Sequence, residues 1–213
     1  MSTDMIDINV GQHIKCVNPA HDIQENAMKV SRAQAEENRE RILDNAAQLF
    51  RERGFDGIGL NDLMQAAGLT RGGFYGHFES KDDLAAQATR RALQANREQW
   101  KKQTDRSLAA WVKAYLSDAH RDRIGAGCGL VALAGDAARG APAVQEVFAE
   151  GVENLVATLQ DQMPAGGAAE RREQALAMLS TMAGALLLSR AVGDTGLSRE
   201  LRDAARKSLP AGG

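Results

Sequence analysis

From about residue 37 onward, apolar residues recur at intervals of three and four with polar residues between them, a pattern that predicts helix after helix and no sheet. Ile42, Ala46, Leu49 and Phe50 define a first helix from about Glu37 to Arg53, with Gly54 as its terminator. Leu60, Leu63, Met64 and Ala67 define a short second helix that ends at Gly68, a residue suited to the left-handed conformation of a helix end. Gly59 stands at its start and can cap only without a side-chain acceptor. Thr70 reads as the N-cap of a third short helix, in which Phe74 and Phe78 share the buried face and Arg71, Gly72, Gly73, Tyr75 and His77 lie away from it. Ser80 with Asp83 three residues later reads as a capping box, with Asp replacing the usual Glu, and opens a long helix to about Lys101.

The second half continues in the same way. Leu108, Trp111, Val112, Tyr115 and Leu116 place an amphipathic helix over Ser107 to His120, another spans Gly129 to Arg139, and Pro142 suits the first turn of one that carries Val144, Phe148, Leu155 and Leu159 to about Met163. After a loop at Pro164 to Ala168, the stretch Ala169 to Val192 is apolar on nearly all faces, and such a helix must be covered on all sides. At the end of a chain this small, a partner subunit is the natural cover for one side. A final helix begins at Leu197 and Ser198, carries Leu201, Ala204 and Ala205, and closes at Leu209 before Pro210. Residues 1 to 27 show no sustained period and contain Pro19, so they read as a flexible arm.

Two short helices joined by a tight glycine-containing turn form a helix-turn-helix, whose second helix can enter the DNA major groove. The run A-A-G-L-T-R-G-G-F-Y-G-H-F-E-S-K-D-D-L, preceded by R-E-R-I-L-D-N-A-A-Q-L-F-R-E-R-G-F, resembles the signature of the TetR family of transcriptional regulators over roughly residues 37 to 84. The resemblance implies an all-α fold: a flexible arm over 1–36, a three-helix helix-turn-helix domain over 37–82, and a helical effector-binding and dimerisation domain over 83–213. It further implies a cytoplasmic, homodimeric repressor that holds a double-stranded DNA operator and is released by a small-molecule effector, with the last two helices pairing with their copies. In the matching motif, Thr70, Arg71, Gly72, Gly73, Tyr75, His77 and Lys81 face DNA; Tyr75 lies beside it, and His77 and Lys81 reach phosphates. Arg71 is the best base reader of the set, since its planar fork matches guanine O6 and N7, while Gly72 and Gly73 permit close backbone approach. Relatives commonly carry Ser or Thr where Gly59 stands, so the phosphate contact of that hydroxyl is missing here.

Composition alters this picture little. Lys and Arg number 26 against 28 Asp and Glu, for a formal net charge of −2, so DNA binding rests on the motif and not on a basic excess. The same balance disfavours a non-specific architectural DNA protein. Cys16 and Cys128 are too few and too far apart for a disulfide framework and fit a reducing cytoplasm. The longest apolar stretch, Thr181 to Leu188, is too short to span a bilayer. His13, Cys16 and His21 have a spacing a metal could use but lack a fourth ligand nearby, so neither a metal site nor a cofactor is expected. The glycine loop G-A-G-C-G-L at 125–130 follows no strand, which argues against nucleotide binding, and no catalytic signature points to an enzyme. Trp111, Tyr115, Phe148, Met178 and Met182 are either the lining of an effector pocket or plain core, since helix-bundle pockets and cores use the same apolar residues. Cys128 has no basic neighbour in sequence nearer than Arg123 and reads as a buried inert thiol, with a redox sensor as the alternative.

Overall fold

In the computed structural model, helix α1 runs over Pro19–Arg53, well ahead of the start near Glu37 that the apolar pattern predicts. The stretch from Pro19 to Glu37 carries only a sparse apolar row of Ala20, Ile23, Ala27, Val30 and Ala33, but it is rich in Ala, Gln and Glu, which favour helix by propensity, and a proline is tolerated in a first turn. Residues 19–36 are therefore helical. The structure describes residues 19–102, 107–163 and 166–209, with side chains from Ser31 onward, so His13 and Cys16 and the side chain of His21 lie outside the described residues. The chain divides at Glu37 and Asn38 into two units. In the first, Gln34 donates to the Glu37 carboxylate at 3.3 Å.

From Asn38 onward the described regular structure is entirely helical. Helix α2 (Leu60–Ala66) and a 3₁₀ helix (Arg71–Gly76) follow α1, then α3 (Lys81–Lys101), α4 (Leu108–Tyr115), α5 (Asp118–Asp122), α6 (Gly129–Arg139), α7 (Pro142–Gln160), α8 (Ala168–Ala191) and α9 (Gly196–Ser208). Gly54 and Gly68 end α1 and α2 with φ near +73° and +72°, a conformation that a Cβ makes costly. The helix predicted as one over Ser107 to His120 is two, because the Ser117 hydroxyl accepts from His120 N–H at 3.2 Å and restarts the chain as α5.

Two apolar clusters organise these helices. One lies under the helix-turn-helix, where Ile42, Phe50, Leu63, Met64, Phe74, Phe78 and Leu84 are buried together with Leu133, Ala137, Val144 and Val147 of α6 and α7. The other gathers Trp100, Trp111, Tyr115, Leu155, Leu159, Met178, Met182 and Leu186. Phe148, half-buried, packs against both. Helix α3 contributes to both clusters, so any movement of it is felt under the helix-turn-helix and in the C-terminal bundle alike.

Helix α8 buries one face, carried by Ala175, Met178, Leu179, Met182, Ala185, Leu186 and Ser189. Leu176, Leu187 and Leu188 remain exposed on it, as does Leu197 on α9. On α9 the buried face departs from expectation: Leu201 is half-buried and Ala204 exposed, while Ser198, Arg202 and Ala205 are buried. Arg202, 1% exposed, donates to the carbonyls of Leu116 at 3.1 Å and Ser198 at 3.2 Å and pairs with Asp118 at 2.5 Å. Apolar periodicity could not identify this face because its largest member is an arginine that satisfies the free carbonyl end of α4.

Candidate functional site

The helix-turn-helix is held by packing beneath and capping at its exit. Phe74 and Phe78 stack at a centroid separation of 5.6 Å on the inner side of the 3₁₀ helix. The segment is 3₁₀ and not α because Gly72, Gly73 and Gly76 weaken α propensity in a stretch of only six residues, which closes with Gly73 N–H to Thr70 O and His77 N–H to Phe74 O. Thr70 occupies the N-cap position in extended conformation, but its hydroxyl accepts no capping bond. That hydroxyl is exposed with its chain neighbours Arg71, Gly72 and Gly73. Tyr75 is 69% exposed, its ring standing edge-on to buried Phe74 at 5.2 Å. An aromatic this exposed on an otherwise anchored segment is available to a partner and plays no part in the core. His77 and Lys81 are half-buried at the end of the 3₁₀ helix and the start of α3.

The exit from this segment is fixed by a chain of polar bonds. Asp83 N–H donates to Ser80 Oγ at 3.0 Å, and the Asp83 carboxylate accepts from Glu79 N–H at 3.1 Å and from Gln87 Nε2 at 2.7 Å. The shorter Asp thus reaches the amide one residue before the cap, where a Glu would reach the cap itself. Gln87 in turn accepts from Arg39 of α1, whose guanidinium lies 5.4 Å from the Phe78 ring centroid. Arg91 ties α3 to α1 through Glu40 and Asp44. Removing the cap should cost about 1 kcal/mol, so Ser80→Ala is expected to lower the midpoint of denaturant unfolding without changing its slope. An unaltered midpoint would show that the Asp83 and Gln87 bonds suffice alone. A feature that sequence reading missed is a shallow depression in which Arg71 faces Gly59, Leu60, Asn61 and Asp62 at the start of α2. It brings the exposed arginine beside the first turn of α2.

In the C-terminal bundle, Trp111 and Tyr115 line an open cleft of about 270 Å³ with Trp100, Ser117, His120 and Arg123. Trp100 makes edge contacts with Trp111 at 4.8 Å and Tyr115 at 5.8 Å. Of the five residues with a possible pocket role, Trp111 and Tyr115 share the cleft; Met178 and Met182 are buried in the same apolar cluster without lining it, and Phe148 packs against both clusters. Trp100 shares the buried face of α3 with Leu93 and Asn96 at spacings of three and four, the signal that could have found it, whereas His120 and Arg123 depend on the break at Ser117. His120 Nδ1 donates to the Tyr115 carbonyl at 2.5 Å, and burial pushes its pKa below the ordinary histidine value, so the ring is neutral at pH 7.

Cys128 is 1% exposed at the start of α6 and accepts a hydrogen bond from Tyr115 Oη at 3.2 Å. Burial pushes both the thiol and the phenol up, which outweighs the positive charge of Arg190 nearby in space. The arginine was invisible to a search of sequence neighbours. A thiol so shielded should not report peroxide: wild type and Cys128→Ser should hold operator DNA equally with and without peroxide in a gel-shift assay. Release of the wild type alone would establish a sensor. The adjoining glycine loop has its groups engaged by the protein itself, with Asn96 bonded to Gly127 O at 3.1 Å and Gly129 N–H at 2.6 Å and Arg51 donating to Gly125 O at 2.6 Å. Among the described residues no cluster of His, Cys, Asp and Glu could hold a metal ion, and no helix is long and apolar enough to cross a membrane.

Residues 42–88 match the model of bacterial regulatory proteins of the tetR family, and residues 104–207 match that of the LmrA/YxaF-like transcriptional regulator C-terminal domain. Curated relatives align over short stretches: the HTH-type transcriptional regulator AcrR of Shigella flexneri is 43% identical over 54 residues, a quarter of each chain. The HTH-type transcriptional repressor BepR of Brucella suis is 46% identical over 57 residues, 27% of each chain. The aligned part thus spans only about a quarter of these relatives' length. Solved structures resemble the chain over most of its length. A TetR transcriptional regulator from Chloroflexus aurantiacus has a TM-score of 0.68 at 25% identity, covering 83% of this chain and 94% of its own. Reduced E. coli NemR has a TM-score of 0.67 at 22% identity, covering 82% and 99%. With both family models matched in order over well over half of its 213 residues, the chain belongs to the TetR family of bacterial regulatory proteins.

Proposed function

We propose that the protein is a sequence-specific transcriptional repressor, a cytoplasmic homodimer that grips a pseudo-palindromic operator and is released by a small-molecule effector. The observation that carries the DNA-binding part is the two-sided 3₁₀ helix, sealed inside by Phe74 and Phe78 and presenting Arg71 and Tyr75 outside. In this reading Arg71 reads a base edge, Tyr75 and the backbone at Thr70, Gly72 and Gly73 approach the duplex, and His77 and Lys81 hold phosphates. Two copies related by a two-fold axis place their reading segments in successive major grooves. The exposed leucines of α8 and α9 supply the apolar surface for that pairing.

Effector release follows from how the aromatic cleft is wired to the helix-turn-helix. The segment from Leu116 to Gly129 forms one wall of the cleft through Ser117, His120 and Arg123. Arg190 of α8 grips its carbonyls at His120 and Arg121, at 3.1 and 2.9 Å. Its far end is bonded to Arg51 of α1 and Asn96 of α3. A ligand that shifts this wall therefore pulls on both helices that carry the DNA-reading segment, and a change in their tilt alters the spacing between the two reading segments of a dimer. Selection of bound sequences from random double-stranded DNA, followed by footprinting upstream of the gene, tests the reading. Enrichment of an inverted repeat is the expected result; binding with no sequence preference would refute it.

A further inference from the structure

The groove between α3 and α7 holds charged groups that neither the DNA-facing segment nor the aromatic cleft uses. Arg90, Gln94 and Arg97 follow at spacings of four and three and share one face of α3, opposite Glu150 and Asn154 of α7. With Leu93, Val147 and Gly151 they line a cavity of about 210 Å³ that shares no residue with the aromatic cleft. The helices meet closely at its floor, where a Cβ on Gly151 would stand 2.3 Å from Leu93 Cδ1. Only a glycine allows that approach.

The charges around the cavity do not balance. Arg90 reaches Glu150 at 3.4 Å, and both are about half in solvent. Arg97 adds a second positive charge, and no carboxylate among the described residues pairs with it. A carboxylate is a group whose two oxygens match the guanidinium fork, so an arginine without a carboxylate partner is open to one from a ligand. Leu93 and Val147, both buried, offer an apolar floor beside it. Glu150 offsets one of the two arginines and repels a second negative charge, so the surplus of one favours a monoanion over a dianion.

We propose that this cavity binds a short-chain monocarboxylate, its carboxylate on Arg97 and its alkyl body on Leu93 and Val147, bridging α3 to α7. The site stands independently of the operator reading and is tested without DNA. Sodium butyrate is titrated at pH 8 into the full chain and followed by amide chemical shifts in two-dimensional NMR, with sodium chloride matching ionic strength and inorganic phosphate, mostly the dianion at that pH, as the doubly charged control. The expected result is saturable shifts centred on Arg97 and Gly151 with butyrate and weaker, unsaturated shifts with phosphate. Arg97→Gln should weaken butyrate by about tenfold or more, since a charge-assisted pair is lost. Glu150→Gln should strengthen it by about threefold through relief of repulsion. If Arg97→Gln melts differently from wild type, the Glu150→Gln arm decides by itself. Non-saturating butyrate shifts, phosphate binding as tightly as butyrate, or a weaker Glu150→Gln complex would each overturn the proposal.

Discussion

Leu187→Arg should convert the protein to a monomer and abolish operator binding while leaving the fold of the subunit intact. Leu187 is 49% exposed on α8, in line with exposed Leu176 and beside Leu188, and a Cβ added at Gly184, one turn before it, would meet nothing within 4 Å. The opposite face of α8 is already buried within the subunit, so this leucine row is surface that one chain cannot cover. Across a two-fold axis each substitution acts twice. Two leucines lose roughly 1–2 kcal/mol of burial each, and two guanidinium groups facing each other in an apolar seam cost several kcal/mol more. Because the side chain is exposed in the isolated subunit, circular dichroism melting of the variant should stay close to wild type once the dimer contribution is removed by dilution. Sedimentation equilibrium gives the oligomeric state, and a gel shift reads operator binding at the same protein concentration. A variant that still sediments as a dimer would place the interface elsewhere.

The parts of this fold that were legible in the sequence are those in which one residue type has one physical use. Gly54 and Gly68 lie at left-handed helix ends, Ser80 caps α3, and Phe74 and Phe78 are buried while Tyr75 is not, all as spacing and residue chemistry indicate. What escaped depends on partners distant in sequence. Arg202 is buried only because Leu116 and Asp118, more than eighty residues earlier, present a carbonyl and a carboxylate to it. The walls of the aromatic cleft needed the Ser117 break, and the depression beside Arg71 needed the packing of the 3₁₀ helix against α2. Helix α1 starts ahead of its predicted boundary for the opposite reason, since the apolar row of its first half is sparse and mostly alanine, too weak for periodicity to set the start. The 3₁₀ form of the reading segment also went unseen, though Gly72, Gly73 and Gly76 carried the signal that a full α-helical turn would be poorly supported.

Arg71 and the pair His77 and Lys81 should fail in different ways, and the contrast tests the assignment of the whole DNA-facing surface. Arg71 is exposed at the first position of the 3₁₀ helix, where its guanidinium is free to reach a base edge. An arginine that donates two hydrogen bonds to one guanine carries sequence information, so Arg71→Ala should cost about 1–3 kcal/mol and relax preference at one position of each half-site. Lys81 sits at the first turn of α3 beside the Ser80 cap, a place suited to phosphate. Lys81→Ala should weaken binding to every sequence alike and reduce the salt slope by about one counterion per subunit. His77→Ala should weaken binding without altering base preference. Each variant is titrated against the operator and its single-base variants at several salt concentrations. If Arg71→Ala keeps all base preferences, the depression it shares with Gly59 and Asn61 marks it as a phosphate clamp, and the sequence must be read by Tyr75, by backbone approach at Gly72 and Gly73, or through DNA shape.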